Sequence, residues 1–288
     1  MMRAFVEGVG LVGPGLQGWA AGRRVLAGAE PYRPAPTAVA ANELLPAAER
    51  RRAGMPVKLA LAAGLEAFAG AGRDAAEVAT VFASSGGDCD NVHLMCEALA
   101  APERQVSPTR FHNSVHNAAA GYWSIATHSR APSTSLCCYD ASAAAGLLDA
   151  ASQIAVDGDP VALIVYDHPY PEPLNAVRPL GASFGAALVL APQATARAIA
   201  VLDVVFVPQK AAAARMNDPG LEALRTGVPA GRCLPLLAAL ARGARGTVML
   251  EYVAGTHLRV AVSPCSKRSQ DHVATYAQST SHRSRGHS

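Results

Sequence analysis

No stretch constrains the fold more than Ala131 to Ile154, APSTSLCCYDASAAAGLLDAASQI. It reads as a strand over 133–138 that turns abruptly into a helix over about 141–156, built of residues so small that the helix is expected to be buried against close neighbours. Asp140 stands at the turn. A group there faces unpaired backbone N–H donors and the positive end of the helix dipole, which favour an anion or a thiolate.

The rest of the chain alternates in the same manner. Ala4–Val12 is an apolar run ended by Gly13-Pro14-Gly15, a strand and its turn, and residues 16–28 suit a short helix before a Pro-rich loop over 29–40. Leu45 to Ala71 has helical spacing, broken at Pro56, with Leu59, Ala63 and Ala67 along one face. A strand over Val78–Ala83, a turn at Gly86-Gly87 and a helix through Val92–Leu99 follow. Asn113–Thr127, with Tyr122 and Trp123 inside it, is expected to be one buried helix. Beyond the elbow come a strand over Val161–Tyr166, a Pro-rich loop from His168 to Pro179, and strand-like runs at 183–191, 197–207, 246–253 and 257–263, with helical segments near 219–226 and 233–243. Strands alternating with helices predict an α/β layered fold on a parallel or mixed sheet.

Half of the 288 residues are hydrophobic and 16% are charged, which excludes a disordered chain and suffices for one large core or two smaller ones. The 25 bases, 22 of them Arg, exceed the 22 acids by three, too dilute an excess for a nucleic-acid surface. That excess lies within Lys267–Ser288, so residues 1–266 balance. The expected organisation is a single domain over 1–266 followed by a disordered polar tail over 267–288. Six cysteines without a CxxC pair fit a reducing cytosol, and no apolar run approaches the ~18 residues of a membrane span, so the protein is expected to be cytoplasmic.

The elbow resembles the nucleophile elbow of β-ketoacyl synthases, roughly Gly-Pro-x-x-x-hydrophobic-x-x-Ala-Cys-Ala-Ser before a small-residue helix. Ala131-Pro132 takes the place of Gly-Pro, Ala141-Ser142 that of Ala-Ser, and the catalytic Cys falls on Asp140. AFVEGVGLVGPGLQGWAAGRRVLAG resembles the family's first strand, glycine turn and early helix, and VATVFASSGG its next strand and turn. SVHNAAAGYWSIATHSRAPS resembles the Pro-Asn-x-Ala-Ala-Gly segment, with Asn117 and Gly121 in register. The resemblance covers about residues 3–190 and implies a thiolase-like condensing-enzyme fold, truncated relative to full-length ketoacyl synthases.

It also implies loss of catalysis. An Asp carboxylate cannot accept and release an acyl thioester as a thiol does, and the family's two catalytic His have no matching segment here. The closing VAGTHLRVAV resembles the family's Gly-Gly-Thr-Asn hairpin, with His257 where Asn is usual. A ketoacyl-synthase-like chain without its Cys resembles a chain-length factor, the inactive partner of an active synthase in type II polyketide and aryl polyene pathways. Such factors often carry Gln at this position, and Asp140 departs from that pattern too. The resemblance implies a heterodimer with an active ketoacyl synthase, an acyl carrier protein as a further partner, no cofactor, and a tunnel wall that limits the growing chain in fatty-acid-like or aryl polyene synthesis.

On this reading Phe111, His112, His116, Asn117, Tyr139 and Asp140 line the tunnel or the subunit interface. Asp is also among the best helix N-caps, so Asp140 is expected to cap the following helix. Alternation along 133–138 puts Cys137 and Cys138 on opposite faces, and a register slip would make Cys138 the nucleophile of an active acyltransferase instead. His112 and His116 have the i, i+4 spacing that can place two imidazoles on one helical face, but with no third ligand in view no metal site is expected. Gly181-Ala-Ser183-Phe-Gly185 matches the G-x-S-x-G pattern of α/β-hydrolases, which requires a strand before the Ser and a helix after it; here a loop precedes and a strand-like run follows. Arg50-Arg51-Arg52 reads as a solvated helix face able to meet an acidic carrier protein.

Overall fold

The computed structural model describes residues 1–40, 43–209 and 211–265. The chain opens with β1 (Met2–Gly13), which turns through Pro14-Gly15 into the two-residue β2 (Leu16–Gln17) and then α1 (Trp19–Leu26). Next come α2 (Ala47–Arg52), α3 (Met55–Ala71), β3 (Ala79–Ala83), α4 (Cys89–Ala100), α5 (Pro108–Asn113), α6 (Ala118–Thr127) and β4 (Ser133–Leu136). A single 3-10 turn, Tyr139–Ala141, opens α7 (Ser142–Asp157), followed by β5 (Val161–Asp167), α8 (Leu174–Val177), β6 (Phe184–Ala191) and β7 (Ala200–Val207). The described chain closes with α9 (Pro219–Gly227), a 3-10 segment Pro229–Cys233, α10 (Leu234–Arg242), β8 (Gly246–Glu251) and β9 (His257–Pro264).

All these strands join one sheet in the order β4-β3-β5-β6-β1-β7-β9-β8, with β2 paired to β1. β3 runs parallel to β4 and β5, and the other pairs are antiparallel, so the sheet is mixed. Helices cover both faces. The period-two pattern of β5 shows how: Val161, Leu163 and Val165 belong to the core shared with α7 and α10, whereas Ala162, Ile164 and Tyr166 belong to the core shared with α3 and α6. All seven β5 residues are buried, as suits a central strand covered on both sides.

Small residues set the spacing of these layers. Leu59, Ala63 and Ala67 of α3 are wholly buried, and Gly8 and Gly10 of β1 lie so close that a Cβ on either would strike the Ala67 or Ala63 backbone. On the opposite face Gly146 of α7 fits against Ala83 and Leu163, where a Cβ would come within 2.9 Å of both. The Ala-rich composition of α7 therefore lets the elbow helix lie almost on the sheet. Trp123 fills the space between α6 and α3, its ring 5.4 Å from that of Phe68 and 6.1 Å from that of Phe82.

Three expectations are revised. The break in 45–71 lies at Ala53-Gly54, and Pro56 stands in the first turn of α3, where its missing N–H is one the helix would leave unpaired anyway. Residues 113–127 are not one helix: α5 ends at Asn113 and α6 starts at Ala118, so His112 and His116 do not share a helical face. β4 ends at Leu136, which leaves Cys137 and Cys138 outside the strand and its alternation. The proposed tail, 267–288, lies outside the described residues.

Candidate functional site

The elbow sits where β4 ends and α7 begins. Tyr139 takes φ +52°, a left-handed conformation uncommon for a residue with a bulky side chain. Ser142 holds the turn: its Oγ accepts from the Cys138 N–H at 3.0 Å and donates to the Tyr139 carbonyl at 2.7 Å. The expectation that Asp140 caps α7 is not met. The cap position is Ala141, without a side-chain cap, because the Asp140 carboxylate turns to two guanidinium groups. Its Oδ1 accepts from Arg178 Nη2 at 3.0 Å and its Oδ2 from Arg232 Nη2 at 3.3 Å. These charges attract a carboxylate more strongly than the partial charge of a helix end does.

Both arginines are anchored further. The Arg178 guanidinium lies 3.3 Å over the Tyr139 ring, and its Nε reaches the Tyr170 hydroxyl at 3.5 Å. Arg232 also pairs with Glu251 at the end of β8, which Arg225 approaches to 3.6 Å while it holds Glu222 at 2.8 Å. That pairing holds Glu222 well below the usual carboxylate range, at about 2. The elbow is thus tied to the loop after β5, to the 3-10 segment at 229–233 and to β8.

Beneath it lies a carboxylate that the sequence does not single out. Asp167, at the end of β5, is buried and accepts hydrogen bonds from Ser85 N (2.8 Å), Ser85 Oγ (2.8 Å), Ser84 Oγ (3.1 Å) and Ala230 N (2.8 Å). Burial outweighs these donors and pushes its carboxyl up to about 6. Asp167 thereby joins the loop after β3 to the segment that carries Arg232. No local pattern marks it, since its donors stand up to 83 residues away in sequence. Asn113 is a second residue of this kind: buried at the end of α5, it donates to the Arg52 carbonyl and accepts from the Tyr122 hydroxyl.

The other candidates divide between two places. An open cleft of about 450 Å³ is lined by Cys138 to Ala141, Arg232, Glu251 and the 252–257 hairpin. His257 closes it, 5% exposed, with an Nδ1 that has no partner among the described residues. The Cys138 thiol, on the same cleft, is pushed up by burial and by Cys137, opposite to what an attacking thiolate needs. A second open groove, about 560 Å³, runs between α6 and the β4 edge and is lined by His116, Asn117, Ala120, Gly121, Ser124, Ser133 and Ser135. His116 Nε2 stands 3.1 Å from the Ser84 carbonyl, which ties this groove to the loop that holds Asp167. Phe111 and His112 stand exposed on α5, in neither cavity.

Among the described residues β4 is an edge strand, and Val92 and Leu99 on α4, Phe111 on α5, Val115, Ile125 on the adjoining α6, and Tyr139 just beyond β4 are uncovered apolar side chains. α4 buries none of its twelve residues. Among the described residues no group of three or more His, Cys, Asp or Glu could hold a metal ion, and no helix is long and apolar enough to cross a membrane.

Residues 19–234 match the family described as β-ketoacyl synthase, N-terminal domain. No curated protein matches the chain by sequence. Among solved structures, a ketosynthase (ApeO) in complex with its chain length factor (ApeC) from Xenorhabdus doucetiae is similar, with a TM-score of 0.68 and 20% identity over 91% of this chain and 100% of that one. The ishigamide ketosynthase/chain length factor aligns with a TM-score of 0.68 and 16% identity over 92% and 100% of the two chains. A β-ketoacyl synthase from Burkholderia phymatum STM815 aligns with a TM-score of 0.69 and 13% identity over the same shares. At these identities the likeness is one of fold, the thiolase-like condensing-enzyme architecture.

Proposed function

The chain belongs to the β-ketoacyl synthase N-terminal-domain family, and from that premise we propose that it is a chain-length-factor-like, non-catalytic partner of an active ketosynthase subunit. The observation that carries this reading is Asp140. The residue at the family's nucleophile position is an acid, and both its oxygens are occupied by Arg178 and Arg232. The carboxylate contributes to fixing the elbow and offers no thiol to an acyl group.

The β4 edge supports a partner subunit. A strand edge unpaired among the described residues, with uncovered Ile125 on the adjoining α6 and Tyr139 just beyond its end, is a surface that an isolated chain normally protects, and Val92, Leu99, Phe111 and Val115 are further uncovered apolar side chains. A ketosynthase-type chain of the same fold is the occupant proposed for it, and the groove of small residues beside the edge, Ala120, Gly121 and Ser124, leaves room for the partner's side chains. The similar structures include a ketosynthase in complex with its chain length factor and a ketosynthase/chain length factor. In this arrangement the partner supplies the chemistry, an acyl carrier protein delivers the growing chain, and His116, Asn117 and Tyr139 border the shared boundary. Domain 1–266 is the part that would assemble, with 267–288 as an appended tail. Cytoplasmic assembly with this partner and product classes such as polyketides or aryl polyenes belong to the same proposal.

The test is co-expression of the tagged chain with ketosynthases encoded in the same genome. A stoichiometric complex whose product length shifts when small groove residues are enlarged is expected. Recovery of the chain alone with every candidate would count decisively against the proposal.

A further inference from the structure

The Gly181–Gly185 segment carries a serine that the elbow does not use. β5 and β6 are antiparallel, and their last ladder pair is Asp167 with Phe184. The next residues outward, His168 and Ser183, therefore face each other at the end of the ladder. Ser183 Oγ lies 2.7 Å from His168 Nδ1, and the other ring nitrogen stands 3.8 Å from Asp90 Oδ2 in the first turn of α4. With the imidazole proton on Nε2, Nδ1 accepts from the serine hydroxyl, and the Asp90 carboxylate stands near Nε2 at more than hydrogen-bond distance, acting on the ring by its charge. The β5–β6 connection and the first turn of α4 thus bring a hydroxyl, an imidazole and a carboxylate together.

The surroundings suit a base. Burial holds His168 below the ordinary imidazole value, against the opposing pull of Asp90 and Asp88, so the ring is neutral and free to take a proton near pH 7. Thr37 Oγ1 donates to the Ser183 carbonyl at 2.7 Å and fixes the serine backbone. Ser183 is half-buried, and beside it Gly181 is exposed, with nothing within 4 Å of where a Cβ would stand. That side is open to an incoming acyl group.

We infer that Ser183 is a nucleophile, with His168 as its general base and Asp90 as a positioning carboxylate, acting on acyl esters. In the first step Ser183 Oγ bonds to the ester carbonyl carbon and its proton passes to His168 Nδ1. The bond to the leaving alcohol breaks, and the alcohol departs with that proton. Water then attacks the acyl-serine with the same proton transfers, releasing the acid and restoring the hydroxyl. The assignment rests on the side-chain geometry and not on the G-x-S-x-G match, because a loop precedes Ser183 and a strand follows it. It is independent of any ketosynthase partner.

The experiment treats the full chain with a fluorophosphonate probe and, separately, with p-nitrophenyl acetate, and locates the modified peptide by mass spectrometry. Modification of Ser183 is expected, absent in S183A, slowed about a hundredfold in H168Q as for loss of a general base, and slowed several-fold in D90N. Thermal unfolding of each variant reports whether it is folded. No modification of Ser183 in the unaltered chain overturns the proposal whatever the variants do. So does an equal rate in folded H168Q, and an unchanged rate in D90N removes Asp90 from the relay.

Discussion

Arg178 Nη2 stands 3.0 Å from Asp140 Oδ1, and the same guanidinium lies 3.3 Å above the Tyr139 ring. One side chain from the loop after β5 therefore clamps two consecutive residues of the elbow, one by charge and one through its π face. Arg232 binds the other oxygen of Asp140 and, through Glu251, links the elbow to β8. At the turn between β4 and α7 this chain thus has a charge hub that joins three segments distant in sequence.

Replacing Asp140 by Cys puts a thiol at the elbow and leaves Arg178 and Arg232 without their shared anion. D140C is expected to show no condensation of acyl thioesters as an isolated chain. It should lose about 1 kcal/mol in urea unfolding, because the Asp140 side chain is 42% exposed and partly solvated pairs contribute little each. Acyl transfer to a carrier-bound extender by isolated D140C would show that the surrounding site is intact.

The buried Asp167 makes a pH prediction with a defined sign. Its carboxyl is pushed up to about 6, above the 3.8 of an unburied group, so between about pH 4 and pH 6 the folded chain holds a proton that the unfolded chain has released. Its contribution to stability is fully present below about pH 4, declines as pH rises through about 6, and is constant above that. The difference amounts to on the order of 2 to 3 kcal/mol. Asn does not titrate, so subtracting the D167N unfolding free energies from those of the unaltered chain, across pH 4 to 8, should leave this decline. A flat difference would mean that Asp167 titrates alike in both states.

Two glycines with opposite surroundings test the layer spacing. A Cβ at Gly10 would meet the Ala63 backbone, which cannot rotate away, so G10A should force α3 off β1 and cost about 1–3 kcal/mol. Gly121 lies in α6 with nothing within 4 Å of where its Cβ would stand, so G121A should gain about 0.5–1 kcal/mol from helix propensity. Chemical unfolding of the pair reads both signs. Equal effects would show that close approach does not govern the α3–β1 contact.

The parts of this fold that were legible in the sequence are those written in short-range patterns. The apolar β1 and β5 runs, the small-residue helix α7 and the Leu59-Ala63-Ala67 face all follow from local composition and spacing, which report burial directly. The break between α5 and α6 was hidden because Ser114 to Asn117 contain neither Gly nor Pro, and the buried Asn113 that ends α5 acts through Arg52 and Tyr122. Asp140 was visible as an odd residue in a familiar place, yet its partners were not, since Arg178 and Arg232 lie 38 and 92 residues on. The same holds for Asp167. Charges and hydrogen bonds closed by the topology leave no periodic trace.

The partner surface yields the sharpest separation of assembly from stability. Phe111 is 63% exposed and lines neither open cleft, so a charge there disturbs little of the isolated chain's packing. In a complex whose interface extends from the β4 edge over α5, the same side chain is covered, where an unpaired carboxylate is strongly disfavoured. F111D is therefore expected to unfold within about 2 °C of the unaltered chain, as exposed substitutions usually do. Its co-purification with a ketosynthase subunit should fall at least tenfold. Because Phe111 takes no part in the Asp140 ion pairs, loss of the complex with unchanged thermal stability can be assigned to the surface alone. Undiminished co-purification of F111D would place the partner elsewhere on the molecule.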